Sequence, residues 1–200
     1  MTMTPPVTTV QLPRPNKLVA MLFSAPVLLH RLGLRLLQPP MFLIMTVPGR
    51  KSGRIYHTAL ECRSFGDSLW VVSGWGEQTQ WYKNLRATPV VTLQHRGQTY
   101  AARATFIDDE EDRVRVVKRF RESMGAEVFD QVYGRLFGVP PNSTAAAREQ
   151  VYAQVRPVRF DRLRNQPAPY AGVTADLLWV WPALAAAFLV GWFVSSRRRT

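Results

Sequence analysis

Residues 41–63 read MFLIMTVPGRKSGRIYHTALECR, and the fold turns on how that stretch is parsed. Met41 to Val47 is a short apolar run with strand character, and it stops at the turn dipeptide Pro48-Gly49. A second strand, Arg54 to Arg63, follows the basic glycine loop. It continues through a Phe65-Gly66-Asp67 turn into a third, Ser68 to Ser73. Further along, Pro89 to His95 and Gln98 to Ile107 form another hairpin around Arg96-Gly97, and Val155 to Phe160 supplies one last strand. Between the hairpins, Thr79 to Ala87 has helical character, with Trp81, Tyr82 and Leu85 as its apolar side. The acids Asp108 to Asp112 suit the positive end of a helix dipole, which predicts a helix over Asp109 to Ser123. Tyr133 to Asn142, rich in Gly and Pro, is loop-prone. Antiparallel hairpins with helices inserted or appended define an α+β domain built on a small barrel.

Outward from this centre the chain divides into an N-terminal extension (1–40), the barrel domain (41–165), a linker (166–176), an apolar helix (177–194) and a basic tail (195–200). In the extension, Lys17 to Leu37 is apolar, with Arg31 and Arg35 in its second half. Pro26 is expected to break or kink it and leave Val27 to Leu37 as a short amphipathic helix, able either to lie on lipid or to cap the core. Leu177 to Val194 is an uncharged run of 18 residues, bordered by Trp179, Trp181 and Trp192 and followed by Arg197, Arg198 and Arg199. As a helix it would extend roughly 27 Å, which predicts a transmembrane span and a membrane-associated protein whose catalytic domain faces the cytoplasm. Arginines flank both ends of the run, so its orientation stays open. The single cysteine, Cys62, excludes an internal disulfide and a cysteine zinc site.

Charge narrows the partners. The net charge is +12, and residues 1–105 hold 12 Lys or Arg against three acids, Glu61, Asp67 and Glu77. An anionic partner follows: phosphate on a small molecule, nucleic acid or a lipid surface. Nucleic acid is set aside, because the basic residues form no regular stripe and no nucleic-acid-binding motif is present. The loop Gly49-Arg50-Lys51-Ser52-Gly53 suits a phosphate by its charge, its hydroxyl and its permissive backbone. It is not a Walker A loop, since the glycine spacing and the βαβ context are missing. Ser73-Gly74-Trp75-Gly76 and Trp81-Tyr82-Lys83-Asn84-Leu85-Arg86-Ala87 add aromatic area, an amide and positive charge suited to a planar anionic ligand. The histidines, His30, His57 and His95, are scattered and read as structural.

The order T-x-P-G-R-K-S-G, then S-G-W-G, then W-Y-K-N-L-R-A before a Pro-Val-Val strand resembles the deazaflavin-dependent nitroreductase family of the split-barrel flavin and deazaflavin oxidoreductases. The resemblance covers about Leu18 to Phe120. It implies a split β-barrel, FMN-binding-like, holding coenzyme F420 in a basic groove and reducing quinones, nitro compounds or other small acceptors. It implies that Arg50, Lys51, Ser52 and Gly53 hold the cofactor's phosphate and acidic tail, and that Thr58 lies along the groove. Val72, Ser73 and Gly74 would offer backbone near the ring; Trp81, Tyr82, Lys83 and Asn84 would complete the wall, with Arg86 as a further charge. Tyr82 and Tyr133 are the candidate proton donors, and Phe129 is a candidate substrate contact. Two departures stand out: Gly74-Trp75-Gly76 replaces the family's usual Lys-Gly-Gly turn, and the sequence beyond Phe120 aligns poorly. FMN in the same fold and a non-catalytic cofactor- or lipid-binding protein are the alternatives. Oligomeric state is left open.

Overall fold

The computed structural model describes residues 17–134 and 143–197. Six strands close an antiparallel barrel in the order β1-β2-β3-β6-β5-β4. They are β1 (Phe42–Pro48), β2 (Ile55–Phe65), β3 (Ser68–Ser73), β4 (Val90–His95), β5 (Gln98–Phe106) and β6 (Arg156–Arg162). Helices α1 (Lys17–Arg31), α2 (Gln80–Ala87), α3 (Glu110–Met124), α4 (Ala126–Phe129), α5 (Ala145–Gln154) and α6 (Val180–Arg197) surround it. The expected strands and the helices over 79–87 and 109–123 are present within a residue or two. Two short helices, α4 and α5, were not expected. The loop-prone stretch starts inside a π-helical turn, Asp130–Gly134, and its remainder, 135–142, lies outside the described residues, as do residues 1–16 of the extension.

Alternation along the strands sorts side chains into two cores. Leu43, Met45, Val47, Leu60, Cys62, Leu69, Val71, Val91, Leu93, Val158 and Phe160 point inward and fill the barrel. Trp70 and Val72, at the alternate positions of β3, point outward into a second cluster with Val117 and Phe120 of α3, Phe129 of α4 and Val151 and Tyr152 of α5. Turn chemistry fits the hairpins: Arg96 and Gly97 both hold positive φ (49° and 75°), the backbone that a two-residue hairpin requires. Asp109 caps α3 by accepting a bond from the Asp112 N–H at 2.9 Å.

The strand β2 changes partner midway. Ile55 to Glu61 pair with β1, whereas Cys62 to Phe65 pair with β3. The first half therefore carries an edge that β3 does not cover, and Ile55, Tyr56 and His57 are exposed there.

Two expectations at the chain ends need correction. Pro26 does not break α1, which runs unbroken from Lys17 to Arg31. Pro26 is itself buried, so packing offsets the hydrogen bond its ring forfeits. At the other end, no helix among the described residues is long and apolar enough to cross a membrane. The helix starts at Val180, so Leu177 to Trp179 precede it. Its uncharged part up to Val194 extends about 22 Å, short of a hydrocarbon core of about 30 Å.

Candidate functional site: a basic loop docked on a helix

The loop Gly49–Arg54 links β1 to the uncovered half of β2. It is organised from within: Gly49 N–H donates to Arg54 C=O (2.7 Å), Gly53 N–H donates to Gly49 C=O (2.8 Å) and Arg54 N–H donates to Ser52 Oγ (3.3 Å). Gly53 sits at φ +67°, a backbone region costly for a side chain. A Cβ on Gly49 would stand 2.6 Å from the Tyr56 ring and 2.9 Å from Ser52 Oγ, so the chain passes close beneath the tyrosine.

The loop is fastened to α2. Asn84, buried, accepts from the Arg50 N–H (3.3 Å) and from Arg50 Nη1 (2.9 Å), and Gln80 Oε1 accepts from the same Nη1 (3.1 Å). The two motifs that sequence singled out thus form one wall. The fastening also divides the loop's charges. One arm of the Arg50 guanidinium is spent on α2, whereas Lys51 and Arg54 stand exposed with the Ser52 hydroxyl between them. That donor set is the chemistry a phosphate or carboxylate takes. Lys83 is exposed on α2, Thr58 is half-buried on β2, and Trp81 packs its ring against the barrel core.

The remaining expected site residues lie at the end of β3, on α2 and in the second cluster. Ser73 is buried, and its hydroxyl donates to Gly76 C=O (2.8 Å) and meets Thr79 Oγ1 (3.1 Å), which shapes the turn before α2. Gly74 follows it, also buried. Val72 turns its side chain into the second cluster, leaving only its backbone for a ligand. Tyr82 is 1% exposed, inside the barrel core, with edge contacts to Trp81 (5.8 Å) and Phe106 (5.3 Å). Burial pushes its phenol above the ordinary range, against the pull of Arg86, whose Nη2 donates to Tyr82 Oη at 3.2 Å. Arg86 also pairs with Asp108 and lies 4.1 Å over the Phe106 ring, so it serves the wall's base. Tyr133 stacks on Phe129 at 5.1 Å in the second cluster, across β3 from Tyr82. The two candidate proton donors do not meet in one site. Tyr56, which sequence reasoning passed over, is the aromatic ring that lies open beside the loop, 47% exposed. Its place two residues before Thr58, on the same strand face, was the available signal. Among the described residues no cluster of His, Cys, Asp or Glu could hold a metal ion.

A closed antiparallel barrel with a self-organised cationic loop beside an exposed aromatic is the class of protein that binds a planar, anion-bearing cofactor. The chain belongs to the F420H(2)-dependent quinone reductase family, which its residues 28–140 match, more than half its length. It is a deazaflavin-dependent oxidoreductase with coenzyme F420 as its cofactor and a quinone-like substrate. Among solved structures, it is similar to an F420-H2 dependent reductase at 17% identity over 60% of this chain and 94% of that one (TM-score 0.38). It is also similar to an F420 reductase at 14% identity, 64% and 90% coverage (TM-score 0.38). A third is a pyridoxamine 5'-phosphate oxidase from Listeria innocua at 9% identity, 62% and 85% coverage (TM-score 0.41). No match is found among curated proteins.

Proposed function

We propose that this protein reduces a lipid-soluble quinone at a site between the Gly49–Arg54 loop, the uncovered half of β2 and α2, while α6 holds it on a membrane with the barrel on the cytoplasmic side. The observation that carries the reading is the bond pair from Arg50 to Asn84, which joins both motifs into one cationic wall. F420, when bound in its reduced form, supplies the hydride. Lys51, Arg54 and the Ser52 hydroxyl meet the cofactor's phosphate and acidic tail. Arg50 meets it with the arm that α2 leaves over, and Gly53 lets the loop turn without a side chain in the way. Gly74 and the backbone of Val72 and Ser73 line the ring's approach, with Thr58, Trp81 and Lys83 around it. Catalysis then rests on binding, orientation and exclusion of water. Tyr82 is assigned to support the wall, because its hydroxyl is buried and engaged by Arg86. Tyr133 is assigned to packing on Phe129.

The membrane part rests on the exposed apolar residues of α6, among them Leu184, Phe188 and Trp192. A helix of that kind lies in or on a bilayer even where it is too short to cross it. The deciding experiment is a fluorescence titration of the detergent-purified chain with F420 and FMN in parallel, repeated on Lys51→Ala. Binding of F420 alone, weakened about tenfold by the substitution, supports the site, as loss of one charge-assisted bond would give. An unchanged Kd for Lys51→Ala moves the anion site away from this loop.

A further inference from the structure

The C-terminal segment does not trail from the barrel. It is strapped across the outer face of β4 and then bonded to the end of α1. Thr92 Oγ1 donates to Tyr170 C=O (2.7 Å) and accepts from Tyr170 N–H (2.9 Å). Two residues along the same face, Gln94 grips Val173 by both its N–H (2.7 Å) and its C=O (3.1 Å). The strap leaves no room for a side chain at Gly172, where a Cβ would lie 2.6 Å from the Gln94 amide. Beyond it, Arg31 holds Asp176 with both Nε (2.9 Å) and Nη2 (2.7 Å), and Leu177 N–H donates to Arg31 C=O (2.8 Å). Trp181 Nε1–H reaches Leu32 C=O (2.9 Å), while Leu178 packs over Gly33. An exposed ion pair alone would fix little. Here it stands beside two bonds to backbone carbonyls and a close contact, so the root of α6 is tied to the end of α1.

Directly after this joint comes the one-turn helix Arg35–Leu37. Its position is held from behind, where His30 Nε2 and Gln38 Oε1 meet at 2.6 Å and Gln38 Nε2 donates to Phe42 C=O (2.7 Å). A turn so braced presents Leu36 at 87% and Leu37 at 65% exposure, beside exposed Arg35. Leu178, Trp179 and Trp181 stand exposed at the root of α6. Apolar side chains on a rigid, cation-bearing turn, continuous with tryptophans and an apolar helix, match the chemistry of a headgroup boundary: acyl chain below, phosphate above.

We propose that the turn Arg35–Leu37 and the root of α6 form one docking surface for an anionic lipid bilayer, so that the barrel is seated on the membrane at two joined points in a fixed orientation. This rests on the membrane attachment proposed for α6 and adds to it a second contact and a rigid hinge. The uncovered half of β2 belongs to the strand on which α1 packs. The exposed Ile55 and Tyr56 precede His57 on that strand. Seating the joint on lipid therefore brings the site's apolar threshold near the bilayer that stores a quinone.

The test uses the full chain bound to vesicles of phosphatidylglycerol and phosphatidylcholine, spin-labelled at one position at a time. Cys62 is buried and its thiol pushed up to about 12, so it leaves the label on the introduced cysteine. Leu36→Cys and Phe188→Cys report the turn and the anchor, and Glu122→Cys reports α3, which packs on the opposite side of the barrel. The proposal expects oxygen access typical of lipid at 36 and 188 and of water at 122. A water-like label at 36 with a lipid-like one at 188 overturns the docking surface and leaves the α6 attachment standing. Water-like labels at both 36 and 188 overturn both. As a second measurement, the Leu36→Glu and Leu37→Glu double variant should sediment with these vesicles about tenfold more weakly, from two leucines withdrawn from the interface. Unchanged sedimentation overturns the proposal.

Discussion

The two halves of β2 are one continuous strand with opposite fates. From Cys62 to Phe65 it pairs with β3, and its side chains are packed: Cys62 in the barrel, Phe65 against Phe120 in an edge contact at 5.5 Å. From Ile55 to Glu61 it pairs with β1 alone, and its first three residues face solvent beside the cationic loop. The handover at Glu61 and Cys62 lets one strand close the barrel and leave an edge for a ligand. Scaffold and site are thereby separable by substitution, and the most direct way to break the comparison is in the packed half. Phe65→Ala should cost about 3 kcal/mol, as truncating a packed aromatic that also supports the Arg119 guanidinium 4.2 Å above its ring. Urea unfolding reads that loss, and the F420 Kd of the folded fraction should stay within twofold. A Kd that follows the stability would mean that the halves are coupled.

The fastening between loop and helix carries the next largest effect. Asn84→Ala removes the acceptor of the Arg50 N–H and one of the two acceptors of its Nη1, leaving Gln80, and should cost about 1–2 kcal/mol together with a weaker F420 Kd. Asn84→Asp separates these two consequences. It keeps an acceptor for Arg50 and so keeps the stability, yet its carboxylate sits against the anion loop and should weaken F420 binding. If Asn84→Asp binds F420 as the native chain does, the loop beside Asn84 is not where the cofactor's anions lie.

How much of this was written in the sequence differs along the same line. The strands were legible because Met41 to Val47 and Ser68 to Ser73 are short apolar runs that end in Gly or Pro turns, which local chemistry alone determines. The loop and α2 were legible as motifs, but not their fastening. A bond from Arg50 to Asn84 spans 34 residues and leaves no periodic trace. Tyr82 read both as part of the apolar side of α2 and, by resemblance, as part of the cofactor wall and a candidate proton donor. The barrel's closure settles it on the inward side, with 1% of the residue exposed. Pro26 failed as a breaker for a similar reason, since burial against the barrel is invisible in a local rule. The strap was hidden too, as its bonds from Thr92 and Gln94 span 78 and 79 residues.

The buried histidines predict a pH dependence smaller than the losses above. His30 and His95, both buried, have pKa values lowered from 6.5, chiefly by that burial. A histidine harder to protonate in the folded chain gives up stability as pH falls. The contribution is full above about 6.5, the unfolded value, and declines below it towards each folded pKa. Thermal unfolding should therefore give a Tm that drops from pH 7 to pH 5. In His95→Gln the slope should be shallower, because glutamine can still donate to Pro40 C=O but does not titrate. An unaltered slope in that variant would assign the dependence to the carboxylates instead.

The smallest effect on stability should come from Gly49→Ala, which makes it the sharpest probe of the open half. Its new methyl would meet the Tyr56 ring at 2.6 Å and Ser52 Oγ at 2.9 Å, and both belong to exposed side chains that can swing away without disturbing the core. The cost should stay below about 1 kcal/mol, since both displaced atoms lie near the ends of exposed side chains. If Tyr56 is a face of the cofactor site, F420 binding must weaken by more than stability does. Adding Tyr56→Ala to Gly49→Ala should then cost nothing further, because the ring has already left its place. Independent, additive losses in that double-mutant cycle would show that Gly49 acts through the loop's own path, with Tyr56 contributing separately.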